Sequence, residues 1–319
     1  MPAKRFPASL LALFSVAALT LTGCAAVSGG GPAAKEGDRT VESVLGPVTV
    51  PETIESVVVL EGRRDLDIVL SLGLPLTGYP YEEAAALDLE APVAPALARA
   101  VGASPMFLAE EVNLEAIAEA APTLIVSRID DVEPILDELR AIAPVLAIGD
   151  QTTSSWQDDL RLVAEATGTQ TRAAELIAQY DARVAEVSEA YADVLASQTF
   201  APINVTSDGS DVRPNRLLST VLQDLGAAPS AAFAEAIQSG EGIEYSPEQL
   251  VSKWSDATAV VALVNDAASW NELQTDSLWT QLPAVAGGHV VRSDKQTHEG
   301  AALTALHSID VIESLLATF

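Results

Sequence analysis

Apolar residues recur at Ala173, Ile177, Tyr180, Val184, Val187, Tyr191 and Val194, steps of three or four that mark one face of a helix. Arg172, Glu175, Asp181, Arg183, Glu186, Glu189 and Asp193 fill mostly the other side. The pattern predicts one helix over residues 171–196, with Thr171 able to cap its start and Pro202 barring a much longer run. At about 1.5 Å per residue that helix would span about 39 Å, more than a connector inside one α/β domain needs. It lies near the middle of the chain. It reads either as a rigid strut between two lobes or as a long surface helix of a single domain.

Both flanks alternate between strand and helix patterns. On the amino-terminal side, β-branched or apolar runs at residues 56–60, 75–79, 123–127 and 145–148 predict strands. Helical spacing at residues 66–72, 113–121, 132–143 and 156–167 separates or follows them, with stops at Gly73, Pro122, Pro144 and Gly168. On the carboxyl-terminal side, residues 202–206, 258–264 and 289–292 read as strands, and 215–225, 277–285 and 300–317 as helices. Alternation of this kind predicts an α/β fold with mostly parallel central sheets covered on both faces.

The first residues change the picture of where the chain works. Lys4 and Arg5 precede an apolar run from Leu10 to Leu21, too short for a comfortable membrane span and typical of an export signal. Leu21-Thr22-Gly23-Cys24 follows and looks like a bacterial lipobox, whose cysteine is diacylated and becomes the first residue after cleavage. Cys24 is the only cysteine, so no intrachain disulfide is possible, and lipidation gives a lone exported thiol a role. The expected plan is a signal peptide over 1–23, a Gly-rich flexible tether over 24–39, an α/β lobe over 40–168, an interlobe helix over 169–197 and a second α/β lobe over 198–319. The protein is expected outside the cytoplasm, lipid-anchored to the cell membrane.

Charge and chemistry narrow the function. The net charge is −28, and loss of Lys4 and Arg5 makes it two units more negative, which argues against nucleic acid as a partner. An apolar fraction of 49% is ample for packed cores. The chain has no G-x-S-x-G elbow, P-loop or G-x-G-x-x-G turn, and His289, His298 and His307 lack metal-helix spacing. Arg63, Arg64, Arg128, Arg213, Arg216, Arg292 and Lys295 fall at or beyond predicted strand ends, where open α/β sheets bind ligands. They predict a positive cleft inside a negative protein, suited to anionic oxygen ligands; pairing with nearby acids is the plainer alternative for any one of them. Tyr79, Tyr81, Trp156, Tyr245 and Trp270 offer aromatic walls, or core filler.

Taken together, the chain resembles the substrate-binding lipoproteins of bacterial ABC importers for ferric siderophores, haem and cobalamin. The resemblance is carried by Pro51 to Leu60 followed by Leu66 to Gly73, by Asn113-Leu114-Glu115-Ala116-Ile117 with Ala121 to Val126, by Ile142 to Val145, by Ser246-Pro247-Glu248-Gln249-Leu250, and by Leu278 to Val285. It implies two Rossmann-like lobes joined by one long helix, capture of a ferric siderophore between them, and delivery to permease subunits. Docking would use one surface glutamate per lobe, at positions matching Glu115 and Glu248; either could equally be a solvated carboxylate near a helix start. Ala109-Glu110-Glu111-Val112 stands where some hydroxamate binders carry a ligand-contacting arginine, so the chelate chemistry stays open. A monomer is expected, with no resident cofactor and no metal site of its own, ferric iron arriving inside the chelate. Haem or cobalamin binding, an extracytoplasmic enzyme, and a ligand-free structural or signalling lipoprotein are the competing readings.

Overall fold

A computed structural model describes residues 37–82, 93–150, 152, 154–293 and 297–319. The expected signal peptide, Cys24 and most of the tether lie outside them; Arg39 already opens the first strand. Strands β1 (Arg39–Ser43) and β2 (Gly46–Val50) form an antiparallel hairpin. The first α/β unit follows as β3 (Val57–Val59), α1 (Arg64–Ser71), β4 (Leu76–Tyr81), α2 (Val93–Ala100), β5 (Ser104–Leu108), α3 (Leu114–Ala120), β6 (Leu124–Arg128), α4 (Ile129–Val132), α5 (Leu136–Arg140), β7 (Val145–Ile148) and α6 (Trp156–Thr167). Its five strands are all parallel in the order β5-β4-β3-β6-β7. Val57 and Val59 face one buried layer, and Val58 and Leu60 the other. That is why β3 reads as an unbroken apolar run: each face of a parallel sheet is covered by helices.

Local chemistry sets several ends. The Asn113 side chain accepts the Ala116 amide at 3.0 Å and starts α3. Ser155 does the same for Asp158 at 3.1 Å and starts α6, which Gly168 closes in the left-handed conformation. The single helix expected over 132–143 is instead two short helices separated by a 3-10 turn at Glu133–Ile135, because Pro134 cannot donate an amide inside a helix.

The central helix, α7, runs Gln170–Ala190, about 32 Å at about 1.5 Å per residue. It is shorter than the sequence pattern predicts. Tyr191 leaves helical geometry (φ −119, ψ 24), and α8 (Ala192–Ser197) resumes beyond it. Of the predicted apolar face Ala173, Tyr180 and Val187 are buried, whereas Ile177 and Val184 are half-buried and Leu176, outside the predicted stripe, is buried in their place.

The second unit is β8 (Phe200–Thr206), β9 (Gly209–Val212), α9 (Leu217–Asp224), α10 (Ala231–Ser239), β10 (Ile243–Tyr245), α11 (Leu250–Lys253), β11 (Ala259–Leu263), α12 (Ala267–Leu273), α13 (Pro283–Gly287), β12 (Val290–Ser293) and α14 (Ala302–Leu316). Its sheet order is β10-β9-β8-β11-β12. Strands β8, β11 and β12 are parallel, whereas β9 returns antiparallel through a two-residue turn at Ser207 and Asp208. Gly209, at φ 146, closes that turn; a Cβ there would run into the Tyr245 carbonyl.

One hydrophobic core runs through both units. Trp156 meets Tyr180 edge-on at 5.2 Å, and the same cluster continues through Val187 and Leu195 to Phe200, Phe233 and Trp254. Helix α14 packs against α1 and α2 of the first lobe, α9 of the second, and α7 between them. The lobes are therefore tied twice: by α7 and by α14.

Candidate ligand cleft between the lobes

In the first sheet the chain order reverses between β3 and β6, and the loops after these two strands flank the crevice that such a reversal leaves. The loop after β3 is shaped by a buried carboxylate. Asp65 accepts the amides of Leu60, Glu61 and Gly62 at 2.8–3.0 Å and the Ser127 hydroxyl at 2.9 Å. Those bonds fix the β3 loop against the end of β6 and aim Glu61, Arg63 and Arg128 at one another.

Arg128 sits at the centre of the charged cluster. Its guanidinium reaches Glu61 at 3.3 Å, Asp130 at 2.7 Å and Glu299, which arrives from the segment before α14. Arg63 lies 3.3 Å from Glu61. Burial by itself would raise Glu61, but its hydrogen bond with Glu299 and the charges of Arg63 and Arg128 hold it below the usual carboxylate range. Burial and the neighbouring Glu61 push Glu299 up to about 8. The two carboxyls therefore share a proton near neutral pH. Asp131 is likewise pushed up to about 6, by burial and then by Glu61.

Arg64 turns the other way. Its Nη1 donates to Asp159 at 2.8 Å, a pair with side chains 6% and 3% exposed, and Asp159 also accepts the Gly149 amide and the Ser154 hydroxyl. Beside it opens a pocket of about 460 Å³ lined from both lobes: Arg64, Ser154 and Trp156 on one side, Asn215 and Leu217 on the other, with Ile177 of α7 between. Residues following β3 and β7 of the first sheet thus face the start of α9 across a shared space, with α7 on one side.

The remaining sequence candidates divide. Tyr81, at the carboxyl end of β4, is 46% exposed, whereas Tyr79 is buried within the strand. Tyr245 is buried edge-on to Trp254 at 5.6 Å, and Trp270 is half-buried near Trp279. For Tyr79 and Tyr245 packing is the dominant environment. Arg213 follows β9, which runs antiparallel to β8. There it pairs with Asp211 and with Glu244 of β10. Arg216 is the buried arginine of this lobe, 2.8 Å from Asp211, which pairs across the sheet with Asn204 of β8. Arg292 gives its Nε to the Val264 carbonyl at 2.9 Å, and Lys295 lies outside the described residues.

The expectation of a positive cleft needs correction. Arg63, Arg64, Arg128, Arg213 and Arg216 each face at least one carboxylate. Sequence reasoning missed those partners, Glu61, Asp159, Asp211 and Glu299, because acids are so common in this chain that none stands out. Glu299 is 171 positions from Arg128. Among the described residues, no group of three or more His, Cys, Asp or Glu side chains is placed to hold a metal ion, and no helix is long and apolar enough to cross a membrane.

Glu115 and Glu248 are both exposed, in the first turns of α3 and of a short 3-10 turn at Pro247–Gln249. Ser246 caps the latter turn, and its hydroxyl donates to Glu248 at 2.7 Å, which holds that carboxyl below its ordinary range.

Comparison with known proteins agrees with this geometry. The "Probable siderophore-binding lipoprotein YfiY" of Bacillus subtilis is 25% identical over 328 residues, covering 96% of this chain and 97% of that protein. The siderophore periplasmic binding protein from the fuscachelin gene cluster of Thermobifida fusca is 27% identical, with a TM-score of 0.68 over 85% of this chain and 99% of that one. Staphylococcus aureus SirA complexed with staphyloferrin B, at 21% identity, shares the fold with a TM-score of 0.71 over 88% of this chain and 98% of SirA. The family model described as periplasmic binding protein matches residues 98–297. With most of both lobes inside that match, the chain belongs to the periplasmic binding protein family.

Proposed function

We propose that this protein captures a ferric siderophore between its two lobes and hands it to the permease of an ABC importer. The observation that carries the reading is the pairing of two α/β lobes that together line an interlobe pocket, in a chain aligned over nearly its whole length with the "Probable siderophore-binding lipoprotein YfiY". Iron enters as part of the cargo, held by the chelator's own oxygens, and the protein contributes shape and hydrogen-bond donors. Within the cleft, Arg63, Arg128 and Tyr81 are the side chains best placed to meet a chelate; Arg64 and Trp156 line the pocket beside α7. Glu115 and Glu248 are the docking residues of this reading, and Cys24 carries the lipid that keeps the protein outside the cytoplasm at the membrane. Binding, not catalysis, is the task.

The test is a tryptophan-fluorescence titration of the purified protein with ferric siderophores, haem, cobalamin and bare ferric ion. Saturable quenching by at least one ferric siderophore, with no comparable response to bare ion, is the expected result. Preference for haem or cobalamin would move the protein to another cargo of the same importer class. Silence towards all chelates would overturn the reading.

A further inference from the structure

The arginines that face the interlobe space do not leave it positive. Glu61 is 3% exposed and lies against both Arg63 and Arg128; Glu299 and Asp130 take the other edges of the Arg128 guanidinium. Asp131 faces the same group from α4. Deeper in, Arg64 is committed to Asp159, and across the space Arg216 is committed to Asp211 and faces Glu299. Even with the Glu299 proton in place, Glu61, Asp130 and Asp131 at least match Arg63 and Arg128, and Asp159 and Asp211 answer Arg64 and Arg216. The neutralising partners are built in: Glu61 takes the Arg64 amide at 2.9 Å besides its arginines, and the Asp65 bonds lock its loop.

A second, independent fact acts at longer range. With a net charge of −28, the molecule repels an approaching polyanion before any contact is made. A ligand carrying several negative charges would have to displace buried carboxylates from their arginines, leaving those acids unpaired in a low-dielectric site.

We propose that the cleft selects a ferric chelate of zero or positive overall charge, the class formed by three hydroxamates around ferric iron, over polyanionic catecholate or carboxylate chelates. This rests on the siderophore-capture reading above. In such a chelate the three negative oxygens are cancelled by the metal. The paired arginines then act as hydrogen-bond donors whose charge is already balanced, and the surplus carboxylates accept a pendant ammonium or amide where the ligand has one.

The experiment is a fluorescence titration of the purified protein at low ionic strength with three probes: a neutral ferric tris-hydroxamate, a ferric tris-hydroxamate bearing a free ammonium, and a trianionic ferric tris-catecholate. The expected result is that one of the first two binds at least tenfold tighter than the third. Added salt should tighten the trianion's binding by screening repulsion and leave the neutral chelate's unchanged. Asp130→Asn, at an exposed carboxylate, should raise the trianion's affinity several-fold relative to that of the neutral chelate. Tighter binding of the trianion to the unaltered protein overturns the charge preference while leaving siderophore capture intact. Failure of all three probes to bind overturns the capture reading, and this inference with it.

Discussion

Asp67 and Ala301 stand 234 positions apart, yet the carboxylate of one accepts the amide of the other at 2.9 Å. Leu303 and Thr304 give their amides to the same carboxylate at 3.1 and 2.8 Å. Helix α14 has no side-chain cap of its own, so an acid on α1 satisfies its first turn and meets the positive end of its dipole. Asp67→Ala strands these buried donors. We expect a loss of about 3 kcal/mol in urea unfolding, with Asp67→Asn recovering part of it. An unchanged midpoint would remove Asp67 from the framework.

The buried Arg64–Asp159 pair predicts a different asymmetry. Arg64→Met leaves Asp159 with the Gly149 amide and the Ser154 hydroxyl but no counter-charge. Loss of one partner of a buried pair costs roughly 3–5 kcal/mol, and the surviving donors place this case near the lower end. Arg64→Met/Asp159→Leu should recover much of that loss. The check is a double-mutant cycle read by chemical denaturation.

Glu299 gives the molecule an alkaline weakness. Its value of about 8 in the fold lies above the ordinary 4.5, so the folded state holds a proton that the unfolded chain has released. The stability this contributes is complete below about pH 4.5 and is lost as pH rises through about 8. Between pH 7 and 9 the fold should lose about 1.4 kcal/mol from this group. Glu299→Gln, which cannot ionise, should flatten that decline. Melting curves at pH 6, 7, 8 and 9 for both proteins decide it, and equal slopes would defeat the shared-proton picture.

Docking and anchoring separate from capture. Glu115→Ala/Glu248→Ala should bind ligand as the parent does, because both carboxylates are exposed, yet fail in permease-dependent uptake. Exposed ion pairs contribute only ~0–1 kcal/mol each, so the loss should show in encounter rate and orientation. Uptake at the parent rate would end the docking role.

Cys24→Ala should abolish acyl labelling and leave the precursor uncleaved. One acyl chain holds a protein to a bilayer only marginally, so stable attachment needs the full lipid. Normal labelling of the variant would assign the anchor elsewhere.

Much of the scaffold was legible because it follows local rules. The α6 limits agree with the pattern to the residue, since Ser155 and Gly168 cap it; Asn113 likewise marks α3. The β9 turn was missed although Asp208-Gly209 is a hairpin signal. The break at Tyr191 carries no proline or glycine to announce it. The cleft's charge balance was the least readable feature. Guanidiniums can be found near strand ends by inspection, but their carboxylates come from distant chain segments, and nothing local in an acid-rich sequence distinguishes Glu299 from a solvated neighbour.

The reach of α14 across both lobes carries a consequence for how the molecule is made. Its residues are synthesised after both sheets, yet the Asp67 carboxylate on one of the earliest helices is satisfied by them. A nascent chain that has completed the first sheet still holds an acid whose partners do not yet exist, and an apolar α1–α2 surface with nothing to cover it. The first lobe therefore cannot lock before the second is finished. A premature stop before residue 301 would damage the half of the protein that was translated first.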